Sequence, residues 1–390
     1  MVDVERAAPE IAELHHFLLE HDFPRLESYP WPGRLVSLYY DPGILFRHLS
    51  GASNCWQASA LSSLYYARLR RSEPALWTLC QAFLLCEPVA VDRLERELTP
   101  QRCERWQEAG VLVAADGCYV SSVRATPWQG RLLWHDAPPG FRQSFVFLGA
   151  DSLTFARYLA RWIRENPKAR CRRALDLCTG AGIHALMLTD VAEEVTGADI
   201  NPRALAYGRL NASLRSVANV SFVLSDLFPE AAQGPYDLIV ANLPLLFLPE
   251  ELRPLCVDGD GGMLGIECVV RLVDGLGKHL AQDGTAILQA NSPVVDRRDL
   301  LMESLRERLD GNGWQVTLMP THEFQDASLY AFHRAHRIQR FVTYVITLRA
   351  GREFQLHRRS LAPWRKAACA VRMATVQLEH WSSRTVEKIV

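Results

Sequence analysis

The sequence predicts an α/β fold over its second half, a doubly wound and largely parallel sheet, preceded by a helical region and a smaller winged-helix-like unit. Three observations carry this. From residue 172 onward, short apolar runs of strand length alternate with segments of helical period. A glycine-bearing turn links the first of these strands to its helix. A polar residue closes each of four successive strands, the place where open α/β sheets bind ligands.

The elements follow in order. RRALDL leads into a helix near His184, VTGADI into the helix PRALAYGRLNASL, and VSFVLSDL into DLIVANL. The helix GIECVVRLVDGLGKHL precedes TAILQANS, and WQVTLMP and FVTYVITLRA are expected to form an antiparallel pair. Upstream, SLTFARYLARWIREN has helical period with Asp151 or Ser152 placed to cap it, and residues 136–150 read as a linker ending in a short strand. Residues 75–135 give three helices, the third opened by Thr99 and Pro100, and two strands about the Asp116-Gly117 turn. Helices and hairpin outline a winged helix, but the third helix sets Arg102 and Arg105 against Glu104 and Glu108, which argues against DNA recognition. The expected division is a helical lid region over 1–74, a winged-helix-like module over 75–135, a catalytic domain over 145–350 and a helical extension over 351–390.

Composition narrows the partners. The 390 residues hold 43 basic and 44 acidic side chains, a net charge of −1, so neither nucleic acid nor an anionic membrane is expected as partner. No apolar stretch is long enough to span a bilayer, and the charged first twenty residues do not read as a signal peptide. The ten cysteines form no CxxC pair, and the histidines lack metal spacing. A cytoplasmic protein with free thiols and no metal is expected.

The chemistry concentrates in ALDLCTGAGIHAL, residues 174–186. Asp176 ends a strand, and Gly180 and Gly182 let a ligand approach the backbone where a helix N-terminus presents free N–H groups. Asp199 ends the next strand, where a carboxylate can accept ribose hydroxyls. Asp226 follows the third, suited to an adenine amine. Asn242 and Pro244 follow the fourth.

Together these residues resemble the successive motifs of class I S-adenosylmethionine-dependent methyltransferases, in particular the "methyltransferase small" branch that includes release-factor glutamine and ribosomal-RNA guanine methyltransferases. The resemblance covers about 145–350 and includes VDGDGGMLGIE. It implies S-adenosylmethionine as cofactor. It further implies that Asp176, Cys178, Thr179, Gly180 and Gly182 surround the methionine part, that Asp199 and Ile200 take the ribose, and that Asp226 with Leu227 or Phe228 takes the adenine. Asn242 and Pro244 would form the catalytic acceptor motif, with Asn242 also near the cofactor.

Two departures stand out. Cys178 occupies the place of the first loop glycine, and Asn242-Leu243-Pro244-Leu245 replaces Asn-Pro-Pro-Tyr/Phe. Loss of the aromatic removes a stacking partner worth about 1–3 kcal/mol for a base. Methyl transfer to a small metabolite is therefore favoured over a nucleobase or protein glutamine, with any base sought among His48, Tyr39 and Tyr40 of an aromatic-rich lid. The alternative is cyclisation of S-adenosylmethionine to azetidine-2-carboxylate with release of methylthioadenosine, since the chain loosely resembles azetidine-2-carboxylate synthases. A cofactor-sensing DNA-binding regulator is the third reading. The expected partner is a small molecule, with a homodimer left open.

Overall fold

The computed structural model describes residues 1–28, 60–137, 144–166, 171–230, 235–311, 313–326 and 329–361, together with 363, 366, 367, 369 and 370. Tyr39, Tyr40 and His48, and most of the expected C-terminal helical extension, lie outside them.

The main sheet is built from β6 (Cys171–Leu177), β7 (Ala192–Asp199), β8 (Val220–Leu224), β9 (Tyr236–Asn242), β10 (Leu280–Val295), β12 (Trp314–Phe324), β13 (Ile338–Ala350) and β14 (Gln355–Arg358), with the two-residue β11 (Arg298–Asp299) on the end of β10. Its order is β8-β7-β6-β9-β10-β13-β12-β14. The first five of these are mutually parallel, and β13 runs antiparallel to both neighbours. The strand order reverses between β6 and β9, which opens a crevice at the carboxyl ends of the strands. The α/β expectation and the antiparallel pairing of the last long strands both hold.

Strands buried on both faces need apolar residues at consecutive positions, and β6, β9 and β10 supply them as Ala174-Leu175, Leu238–Ala241 and Ala286–Leu288. Helices α6 (Ala150–Glu165), α7 (Ile183–Leu188) and α8 (Pro202–Leu214) accompany one core cluster, and α9 (Glu267–His279) and α10 (Leu300–Leu309) the other. A short α11 (Tyr330–Ala335) precedes β13.

Ahead of the sheet stand α1 (Ala8–Glu20), α2 (Ala60–Ser72), α3 (Pro74–Leu79), which continues as a π-helical turn to Leu85, α4 (Val91–Leu98) and α5 (Pro100–Glu108). A small sheet β1-β3-β2 combines Val89–Ala90, Cys118–Ser121 and Leu112–Ala115, with Asp116 and Gly117 both at positive φ in the tight turn expected there. Thr99 does not cap α5: it sits at φ 73° and makes no side-chain cap bond, so Pro100 alone opens the helix. Arg102 and Arg105 bond Glu13 of α1 at 3.0 and 2.7 Å, which ties that helix face to the rest of the chain.

The hairpin β4 (Val123–Trp128) and β5 (Arg131–Asp136) joins these elements to the sheet domain. Asp136 accepts from Arg203 and from Tyr207 Oη (2.8 Å), both on α8, and Arg203 also reaches the carbonyl of Val2. Asn211 donates to the carbonyls of Trp134 (3.0 Å) and Ala181 (2.9 Å) and accepts from the Trp134 amide, so one buried amide clamps the hairpin to the glycine loop. The strand expected before α6 is absent. Residues 144–149 instead run irregularly, with the Val146 amide donating to Asp136 Oδ2 at 2.9 Å.

Candidate functional site

A cavity of about 590 Å³ opens at the carboxyl ends of the parallel strands. Its first wall is the loop between β6 and α7. Asp176 ends β6 fully buried and accepts from Thr179 Oγ1 (2.5 Å) and the Ala185 amide (2.9 Å). Burial pushes its carboxyl up to about 7 against the lowering effect of those bonds. It therefore shapes the loop from behind and does not line the cavity; the expected direct contact is replaced by a positioning role. Its Oδ1 has no hydrogen-bond partner. Cys178, Thr179 and Gly180 do line the cavity.

Gly180 has φ 53°, and a side chain added there would enter open space, leaving room for a ligand against the backbone. Gly182 instead packs behind the loop, where an added Cβ would lie 3.2 Å from the Phe222 ring. Cys178 adopts φ 55° where glycine would be unstrained. Burial, then Asp199, holds its thiol far above the usual range, so it is no nucleophile.

The second wall comes from β7 and β8. Asp199 accepts from the Gly180 amide (2.8 Å) with one oxygen and from the Asn201 amide (2.9 Å) with the other. Ile200 is 54 % exposed and lines the cavity, an apolar surface that a flat ring would cover. Asp226 and Leu227 also line it, with Leu227 at φ 66° and Asp226 paired with Arg271 of α9 at 2.7 Å. Phe228 does not reach the cavity. Its ring stacks on His279 at 4.1 Å and fills the gap over Gly275.

The third wall is the segment after β9. Asn242, Leu243, Pro244 and Leu245 all line the cavity. Asn242 Nδ2 donates to Asp151 Oδ2 (2.7 Å) and Ser152 Oγ (3.1 Å), while its Oδ1 accepts from Gln289 Nε2 (2.8 Å). Asp151 and Ser152 thus hold the acceptor motif rather than capping α6, whose N-cap is Gly149 without a side-chain bond. Gln289, 1 % exposed on β10, also donates to the Asp151 carbonyl at 3.2 Å.

Two further contributions come from outside the strand-end residues. Phe145 and Phe147 line the cavity from the irregular segment before α6, with ring centroids 6.0 Å apart and planes 17° from parallel. They bring aromatic faces to a site whose own motif lacks one. The loop 253–262 closes the remaining side, pinned to the acceptor motif by Leu246, whose amide donates to Gly259 and whose carbonyl accepts from Gly261 (2.8 and 2.9 Å). Spacing alone gives no sign of the first contribution.

Residues 155–248 match the family model described as Methyltransferase small domain. The chain is 36 % identical over 140 residues to a ribosomal protein uL3 glutamine methyltransferase of Xanthomonas campestris, covering 34 % of this chain and 46 % of that protein. It is 29 % identical over 127 residues to a release factor glutamine methyltransferase of Thermodesulfovibrio yellowstonii, covering 30 % and 46 %. Among solved structures, a ribosomal protein L11 methylase from Lactobacillus delbrueckii subsp. bulgaricus aligns with TM-score 0.35 and 19 % identity over 53 % of this chain and 82 % of that one. The chain spans about half the length of the curated relatives it matches.

These relatives correct the expected function and partner. Their names give glutamine of a ribosomal protein or a release factor as acceptor, which overturns the small-metabolite acceptor, the cyclisation of the cofactor and the DNA-binding regulator. The physical reason lies in Phe145 and Phe147: the missing motif aromatic had argued against a planar acceptor, yet the cavity has aromatic walls from elsewhere in the chain. No helix among the described residues is long and apolar enough to cross a membrane. Residues 155–248 are thus similar to a methyltransferase small domain, and they lie on an α/β fold whose central sheet is largely parallel.

Proposed function

We propose that this protein transfers a methyl group from S-adenosylmethionine to the side-chain amide of a glutamine in a protein substrate. The observation that carries the reading is that the glycine loop, Asp199 and Asn242 line one cavity, which brings a cofactor half and an amide-holding half together. The residues suit the cofactor. Gly180 leaves space against the backbone, Asp199 offers carboxylate lone pairs to ribose hydroxyls, and Ile200 and Leu227 offer apolar cover for adenine. When bound, S-adenosylmethionine supplies the electrophilic sulfonium methyl.

The chain's own groups do the rest. Asn242 Oδ1 keeps one lone pair free of Gln289 and accepts an N–H of the substrate amide, holding its nitrogen toward the donor half. Phe145 and Phe147 flank the planar amide and exclude water. Asp151, beside Asn242, is placed to take the proton released when the nitrogen gains its methyl group.

Asp176, Gly182, Pro244 and Phe228 act in this reading through loop and cavity shape. The divisions of the chain at 74, 135, 145 and 350 belong to the same proposal. Glutamine acceptors on ribosomal proteins or release factors, together with nine free cysteines among the described residues, suit a cytoplasmic enzyme.

The test is incubation with methyl-labelled S-adenosylmethionine and purified ribosomal proteins and release factors, followed by mass spectrometry of digests. Label on one glutamine, lost in Asn242→Ala, supports the reading. Label confined to any other residue type, or none on any of these proteins, refutes it.

A further inference from the structure

Nine large apolar side chains are exposed among the described residues, and four of them, Leu252, Leu255, Val257 and Met263, fall within one loop. Met263 is 67 % exposed and Leu255 45 %. A single exposed leucine needs no explanation, but a cluster beside a cavity marks a contact surface. The same stretch, residues 249–267, carries five carboxylates against one arginine. Arg253 pairs directly with Asp260 at 2.8 Å, and among the described residues Glu250, Glu251, Asp258 and Glu267 form no direct ion pair. The chain as a whole is nearly neutral, so this excess is local.

The loop is continuous with the acceptor end of the site. Val257, Asp258 and Glu267 line the cavity, and the backbone pairs of Leu246 with Gly259 and Gly261 fix the loop to the acceptor motif. The exposed apolar and acidic side chains of this loop therefore flank residues that share one cavity with Asn242.

We propose that residues 249–267 form the docking surface for the protein substrate, and that the segment docked there is basic and carries apolar side chains. This rests on the function proposed above and names the chemistry of its substrate. Charge complementarity selects this occupant over a second copy of the chain, because a two-fold contact through the loop would set carboxylates against carboxylates.

The probes are two short fluorescein-labelled peptides with the same leucine, glycine and glutamine content, one lysine-rich and the other with glutamate at those positions. Their binding to the full chain is read by anisotropy at low and high ionic strength. The lysine-rich peptide is expected to bind about tenfold more tightly at low ionic strength, with the gap closing as salt screens the rim. Glu250→Lys with Glu251→Lys removes the preference. Leu255→Ser with Met263→Ser weakens the lysine-rich peptide by about tenfold. Both variants retain wild-type S-adenosylmethionine binding by calorimetry, which shows that they are folded. Equal binding of the two peptides, binding of neither, or a preference that survives the charge reversal overturns the proposal. Failure of the wild-type chain to bind S-adenosylmethionine would sink the methyltransferase reading instead, whatever the peptides do.

Discussion

Asp199 allows a substitution test in which the geometry makes an unusual demand. Both carboxylate oxygens are engaged by backbone amides, Gly180 on one side and Asn201 on the other. Asparagine has one acceptor oxygen and one amine. In Asp199→Asn either orientation points the amine at an N–H group, and rotating the amide only changes which one. An N–H left without a partner costs about 1–3 kcal/mol, and the bond that remains weakens because its acceptor is no longer charged, adding about 1 kcal/mol. The loop that Gly180 belongs to lines the cavity; if the free loop relaxes to escape this cost, restoring it on cofactor binding takes the cost from the binding free energy. About 2–4 kcal/mol corresponds to a Kd for S-adenosylmethionine raised roughly 30- to 1,000-fold. Titration calorimetry of wild type, Asp199→Asn and Asp199→Ala measures this directly. The isosteric asparagine is expected to fare nearly as badly as alanine. Binding by Asp199→Asn within threefold of wild type would show that the two backbone bonds do not set the loop, and the reasoning would fail.

Two further predictions concern stability. Gly208→Ala places a Cβ 2.5 to 2.9 Å from three atoms of the Phe222 ring, which Gly182 and Gly197 hem in from other sides. The helix gains about 1 kcal/mol from alanine, but overpacking a confined ring costs about 1–3 kcal/mol, so urea unfolding should report a net loss and Phe222→Leu with Gly208→Ala a partial recovery. A gain in stability from Gly208→Ala alone would mean the ring has room to shift. His135 is fully buried between Thr126 Oγ1 (2.8 Å) and the Asp136 carbonyl (3.0 Å). Burial, then Arg124, lowers its pKa to about 3. The unfolded chain protonates near 6.5, so the stabilising effect of neutral His135 is complete above that pH. It is lost as pH falls toward 3, at about 1.4 kcal/mol per unit. His135→Gln should reduce the acid slope of the unfolding free energy between pH 6 and 4 by close to one proton's worth, and an unchanged slope would exclude His135 as a source.

The strand-end wall of the cavity was legible in the sequence because parallel strands force it to be. Strands running the same way deliver their ends to one edge, so Asp199, Asp226 and Asn242 could be placed from the strand pattern alone. What the pattern could not give was depth. Asp176 and Gly182 belong to the motif yet sit behind the loop, since the turn needs a buried acceptor for Thr179 and Ala185 and a close approach to Phe222. Phe228 is next to two cavity residues but turns to cover Gly275 of α9, which leaves space for its ring. Asp151 and Ser152 stand where helix caps usually stand, and only the approach of β9 reveals that Asn242 takes them.

The acceptor half is assembled differently, and this bears on how substrate choice is encoded. Asn242 has an amide whose two ends look alike, and its motif does not say which faces the substrate. The answer comes from outside the motif. The Asp151 carbonyl can only accept, so it takes Gln289 Nε2; the same nitrogen then meets Asn242 at its oxygen. That leaves Asn242 Nδ2 for Asp151 Oδ2. The loop closes on itself through residues 91 and 47 positions from Asn242. The aromatic walls likewise come from Phe145 and Phe147, and the rim from residues 249–267. A chain can therefore keep the cofactor motif intact while its acceptor chemistry is set by side chains scattered before, between and after it. For that reason the loss of a motif tyrosine does not by itself remove aromatic walls from the cavity, since Phe145 and Phe147 supply them.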